Sequence, residues 1–129
     1  MDLPVIQARK LVEASQLTWL DNLYQTSIPD GVTPSSKTTS MVISEFINEP
    51  QYYANGQFKG WHIGVEIQII YALGKQLQIQ NLEIKLATLF ISNRWQIDQS
   101  KQHIKDPDTG QVSKVFYFTK NLILDKEDM

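Results

Sequence analysis

Apolar and polar positions alternate most clearly in WHIGVEIQIIY, Trp61 to Tyr71. Trp61, Ile63, Val65, Ile67, Ile69 and Tyr71 take every second place, with His62, Gly64, Glu66 and Gln68 between them. Successive side chains of a strand point to opposite faces, so this pattern predicts a long strand with one buried face. A helical period appears twice. Val5, Ala8, Leu11 and Val12 fall on one face of a first helix, with Asp2 as its expected N-cap, Pro4 in its first turn, Arg9 and Glu13 as an i, i+4 pair, and an end near Ser15. In LEIKLATLFISNRW, Leu82, Leu86, Leu89 and Phe90 form one stripe and Ile84, Ala87 and Ile91 a second. That helix is apolar over more than half its circumference, so it is either deeply covered or turns one side to a partner.

The remaining pattern is of strands and their connections. DNLYQTSIPDG reads as a short strand closed by a turn at Pro29 to Gly31, and Met41 to Ile47 as a second strand. Val32 to Ser40 is small and polar, a mobile surface loop within one domain. Asn48 to Gly60 reads as a connection with Asn55-Gly56 at its tip, a pair suited to the type I′ turn. Two last strands are expected at Trp95 to Ile104 and Val112 to Leu124. In the second, Val115 and Tyr117 face one way and Phe116 and Phe118 the other, the mark of a central strand or an interface. The charged end DKEDM is expected to fray. The order α-β-β-β-α-β-β defines one α+β domain over residues 1–129, a mostly antiparallel sheet with two helices packed on it.

Composition narrows the function. A chain of 129 residues with a formal charge of −2 has one modest core and no basic excess for phosphate neutralisation, so specific nucleic-acid binding is not expected. The absence of cysteine rules out disulfides, thiolate catalysis and Cys-type zinc sites. The N-terminus lacks the pattern of a signal peptide, and no stretch nears the roughly 20 apolar residues that span a bilayer, so no membrane association is expected.

HIKDPDTGQVSKVF, His103 to Phe116, holds the densest set of metal-ligand types. Counted from Asp106 as a calcium loop, Asp108 fits the third position, but Gly110 occupies the fifth and Tyr117 the twelfth, where ligands are required. Pro107 and Gly110 suit a tight reversal in which Asp106 and Asp108 cap turn amides. His62 and His103 are each placed on a strand with nothing marked beside them, and Glu66 and Glu83 read as isolated surface or interface acids. No nucleophile elbow, phosphate loop, HExxH or paired-carboxylate motif is present, so neither catalysis nor a cofactor or metal is expected. The remaining candidates are Tyr52, Tyr53, Asn55 and Phe58. They form either a small satellite core or an arm that inserts into a neighbouring molecule.

VISEFINEPQYYANGQF, VEIQIIYAL and WQIDQSKQHIKDPDTGQVSKVFYFTKNL resemble a small family of siphophage proteins of unknown function, found in phages and prophages of lactic-acid bacteria. The resemblance runs over nearly the full length, and the DPDTGQ…KVFY hairpin is its most specific piece. Members are similar in size and gene context to tail terminators. The resemblance implies a virion structural protein at the tail–head junction, held in the bacterial cytoplasm before assembly. It implies self-association into a ring, a hexamer on the tail tube, with the major tail protein and the head connector as partners. A head-completion protein of the virion neck is the nearest alternative, and a small enzyme is the alternative of another class.

Overall fold

A computed structural model describes residues 1–124; the expectation for DKEDM lies outside the described residues. Helix α1 spans Pro4–Ala14 and α2 spans Ile79–Ser92; the strands are β1 (Asn22–Gln25), β2 (Ser40–Ala54), β3 (Gln57–Ile70), β4 (Gln96–Ser100), β5 (Ile104–Lys105) and β6 (Val112–Ile123). The predicted α+β order holds, with the two-residue β5 added to it. The sheet runs β1-β2-β3-β6-β4, and β5 joins β6 beyond β4. All pairings are antiparallel except β1 with β2.

Both helices lie on one face. Val5, Ala8 and Val12 of α1 and Leu86 and Phe90 of α2 meet Met41, Ile43, Ile63, Val65, Ile67, Ile69, Phe116 and Phe118 of the sheet. Phe90 stacks on Phe118 at 4.3 Å between ring centroids, and Phe118 stacks in turn on Phe116 at 5.3 Å. Full burial of each such side chain contributes about 1.5–3 kcal/mol, and this row of side chains is the main source of stability. Among the described residues no helix packs on the other face. It carries Val42, Ser44, Glu66 and Gln68, half-buried between their neighbours. β6 is interior in the sheet, which explains its two apolar faces: Phe116 and Phe118 under the helices, Val115 and Tyr117 on the open side.

Four expectations are corrected. Asp2 does not cap α1: Pro4 stands at the first helical position, which makes Leu3 the N-cap, and Asp2 accepts instead from Lys10 Nζ at 2.8 Å. That contact holds the Asp2 carboxyl below its ordinary range. The polar segment Val32 to Ser40 ends firmly anchored. Thr39 is buried, donates its N–H to Asp21 Oδ2 (2.8 Å) and accepts the Ala72 N–H on Oγ1 (3.0 Å). The supposed connection Asn48 to Gly60 is mostly strand, because β2 and β3 pair all the way to Ala54 and Gln57. A bulge lets this happen: Glu45 opposes Val65 and Ile47 opposes Gly64, leaving Phe46 as the extra residue. Finally, Trp95 precedes β4 as a buried side chain edge-on to Phe90, and the expected single strand to Ile104 is split into β4 and β5.

Candidate assembly surface

The sheet supports β3 with β6 only as far as Gly60 opposite Ile123, closed by Leu124 N–H to the Lys59 carbonyl at 3.0 Å. Beyond that line β2 and β3 continue as a two-stranded arm. Its turn has Asn55 at φ 52° and Gly56 at φ 75°, the positive values that a type I′ turn demands. Tyr53 faces Phe58 across the strands. Tyr52, at φ 59°, lays its ring where a side chain of Gly60 would stand: a Cβ there would lie 2.2 Å from Tyr52 Cδ2. Phe58 meets the Trp61 ring edge-on at 5.4 Å and helps to line a recess of ≈ 360 Å³ with Leu3, Pro4, Trp61, Ile63 and Leu124.

The two readings of the arm therefore divide by residue. Asn55 builds the turn, while Tyr52 and Phe58 fold partly back as a satellite of the core. Tyr53, 66% exposed, is presented outward. The structure brings these residues together at one end of the sheet.

The sheet also ends in two free lateral edges. β1 covers β2 only from Ser40 to Ile43, so among the described residues the outer side of β2 from Ser44 onward has no strand beside it. On the far side β4 pairs β6 alone, with Asp98 as an extra residue between Ile97 and Gln99. Next to β4, α2 exposes Ile84 and Ile91, the second apolar stripe seen in its sequence, and β4 and β5 expose Ile97 and Ile104.

A polar cluster missed by the sequence reading lies between α2 and the β4–β5 connection. Glu83 is buried, not a surface acid. Tyr71 Oη donates to its Oε2 at 2.7 Å, and His103 Nε2 lies 2.7 Å and 3.0 Å from Oε2 and Oε1. Burial, and then the hydrogen bond to Glu83, push the Tyr71 hydroxyl well above its ordinary range. His103 sits between strands, not on one, and it is partnered. A signal existed: Glu83 falls on the same helical face as Leu86 and Phe90, three and seven positions on. The cluster clasps the β4–β5 connection to α2.

The stretch His103 to Phe116 forms the β5–β6 reversal. Asp106 Oδ1 accepts the Asp108 N–H at 2.8 Å, Gly110 N–H reaches the Asp106 carbonyl at 2.8 Å, and Gly110 adopts φ 80°. Asp106 does the capping, and the other side-chain cap comes from Thr109 Oγ1 to the Gln111 N–H at 3.2 Å. His62 hydrogen-bonds Asn121 across β3 and β6 on the open face. Among the described residues no three His, Cys, Asp or Glu converge as metal ligands, and no helix is long and apolar enough to cross a membrane.

The arm, the second stripe of α2 and the strands β4 and β5 leave Tyr53, Ile84, Ile91, Ile97 and Ile104 exposed among the described residues. Residues 2–123 match the profile of the family described as "Protein of unknown function (DUF806)", and the chain belongs to that family. No curated protein matches the sequence.

Proposed function

We propose that this protein is a phage tail terminator, a structural subunit that assembles as a ring on the end of the tail tube and offers a joining surface to the head. The sequence resemblance to siphophage tail-module proteins suggests the reading, and the α+β fold agrees with it. The observation that carries it is the arm beyond Gly60, which projects past its β6 support and presents Tyr53. An exposed aromatic on a backbone-paired arm loses little entropy when it docks, because its strands are already ordered.

The test is electron microscopy of particles from a phage genome carrying Tyr53→Ala in this gene. Overlong tubes, or tails without heads, are expected. Normal-length tails on infectious particles would refute the proposal. Tails of normal length lacking heads, together with this protein found on the portal side, would place it in the neck as a head-completion protein.

A further inference from the structure

The chain leaves β1 through a strained turn. Thr26 adopts φ 74°, and around it the Ser27 N–H donates to the Gln25 carbonyl at 2.9 Å. This is a γ-turn of the positive-φ form, rare in itself and strained further by a β-branched residue at its centre. The Thr26 N–H donates to the Ile43 carbonyl at 2.6 Å, which ties the turn to β2 where the β1 pairing ends. The turn thereby holds Ser27 and Ile28 over the open face of the sheet, and a recess of ≈ 300 Å³ forms between them and Val42, Ser44, Glu66 and Gln68. Strain of this kind persists where the surrounding structure enforces it, and it clusters at binding sites. Glu66 is the charged residue that lines the recess. It is half-buried, stands between Ser44 of β2 and Tyr117 of β6, and has no ion-pair partner among the described residues. Lys101 reaches this face from the β4–β5 connection, but its Nζ lies over the Tyr117 ring, 5.2 Å from the centroid, and not on the Glu66 carboxylate.

We infer that this recess receives an arginine side chain of a partner protein, with its guanidinium on Glu66. A half-buried carboxylate without a counter-charge gains most from a cation that also donates hydrogen bonds to it. An anion would meet Glu66 with like charge, and an apolar side chain would strand it, so charge complementarity selects a cation. The acceptors lie on three elements: the Glu66 oxygens on β3, the Ser44 hydroxyl on β2 and the Ser27 hydroxyl on the turn, with the Gln68 amide oxygen further along β3. A guanidinium holds five N–H donors in one plane and reaches several such acceptors together, whereas an ammonium is a point charge with three donors. Val42 and Ile28 offer apolar walls to the methylene stem. The volume stands at the bottom of the roughly 300–1,000 Å³ range of small-ligand sites, which suits one side chain. Thr26 and Ser27 at the rim are exposed, so the mouth faces a side chain arriving from a second body. The inference stands apart from the terminator reading, because it uses neither the arm nor contacts between copies of this chain.

The test is a titration of the purified full chain, followed by amide NMR, with an end-blocked pentapeptide of glycine carrying arginine at its centre. Matching peptides carry citrulline, the neutral isostere, or lysine in that place. The arginine peptide should give saturable shifts confined to the amides around the recess, with a Kd of about 1 mM, as expected for a single anchoring side chain. The citrulline and lysine peptides should bind about tenfold more weakly, since the first lacks the charge and the second the planar fork. Glu66→Gln should weaken the arginine peptide by about tenfold or more, with the rest of its spectrum unchanged to show that it is folded. Glu45→Gln, at an exposed acid outside the recess, should leave the affinity as it is. Absence of saturable shifts, an equal response to citrulline or lysine, or full affinity in Glu66→Gln would each overturn the inference. So would an equal loss in Glu45→Gln, which would reduce the effect to the overall field of an acidic protein. Shifts of the same amides on raising the protein concentration without peptide would put a second copy of this chain in the recess and overturn the assignment to a different partner.

Discussion

The two halves of the β2–β3 hairpin are built from the same kind of strand but held by different forces. In the first half, Met41, Ile43, Val65, Ile67 and Ile69 are buried beneath the helices. In the second, from Pro50 to Trp61, the residues are mostly exposed, and the strands are held by their backbone ladder, the Asn55-Gly56 turn and aromatic rings laid over neighbouring positions. The first half makes the protein stable, and the second carries that order outward to where another molecule can meet it. Damage to the first half should therefore unfold the chain, and damage to the second should spare the fold and alter contacts.

The largest effect is expected at Ile67→Asp. An unpaired buried carboxylate costs several kcal/mol, comparable with a total stability of roughly 5–15 kcal/mol. Soluble folded protein should be lost, whereas Glu66→Gln on the open face should retain it; circular dichroism and yield decide. Equal loss in both variants would contradict the assignment of faces.

Next in size are two local perturbations. Tyr71→Phe removes one of the two partners of the buried Glu83 carboxylate and should cost about 1–3 kcal/mol in denaturant unfolding. Gly60→Ala forces a Cβ to within 2.7 Å of the Leu122 carbonyl as well as into the Tyr52 ring. Its cost should reach about 1–3 kcal/mol, because the backbone of β6 yields less readily than a ring. If Gly60→Ala proves neutral, the base of the arm is looser than the comparison requires.

A smaller effect should appear in acid. The Thr39 N–H, and then Lys75, hold the Asp21 carboxyl below its ordinary value of 3.8. A carboxylate with a lowered pKa in the folded state contributes stability that is fully present above the ordinary value and is lost as pH falls through the lowered one. Asp21→Asn should flatten the acid side of the stability profile and leave its neutral-pH slope unchanged. The smallest effect is expected at Tyr53→Ala: an exposed side chain beyond the core should change the melting temperature by no more than about a degree or two, within ±0.5 kcal/mol. A marked loss of stability there would make the whole arm part of the core and abolish the contrast between the two halves.

Much of this architecture was legible in the chain. Alternation found β3 and its buried face, the helical period found both helices, and Asn55-Gly56 marked the tip of the hairpin. The distal halves of β2 and β3 were not legible as strand. Pro50, the polar residues around it and the loss of alternation all argue locally for a connection. The bulge at Phe46 shifts the register, and pairing then carries both strands outward. Tyr52, Tyr53, Asn55 and Phe58 share the arm because they are close in sequence, but their division into folded-back and outward members depends on Gly60 and Trp61, which supply the surfaces for Tyr52 and Phe58.

By itself, then, the sequence determined what is local and periodic: both helices, the buried face of β3, the type I′ turn, and the Asp106 reversal, because each is set by residues within a few positions of one another. Tertiary structure alone decided the rest. It joined Tyr71, Glu83 and His103 from three separate segments, made β1 a parallel neighbour of β2, and anchored the end of a polar loop through Thr39. Those outcomes depend on strand order, and strand order is a choice among long-range pairings that no local pattern encodes.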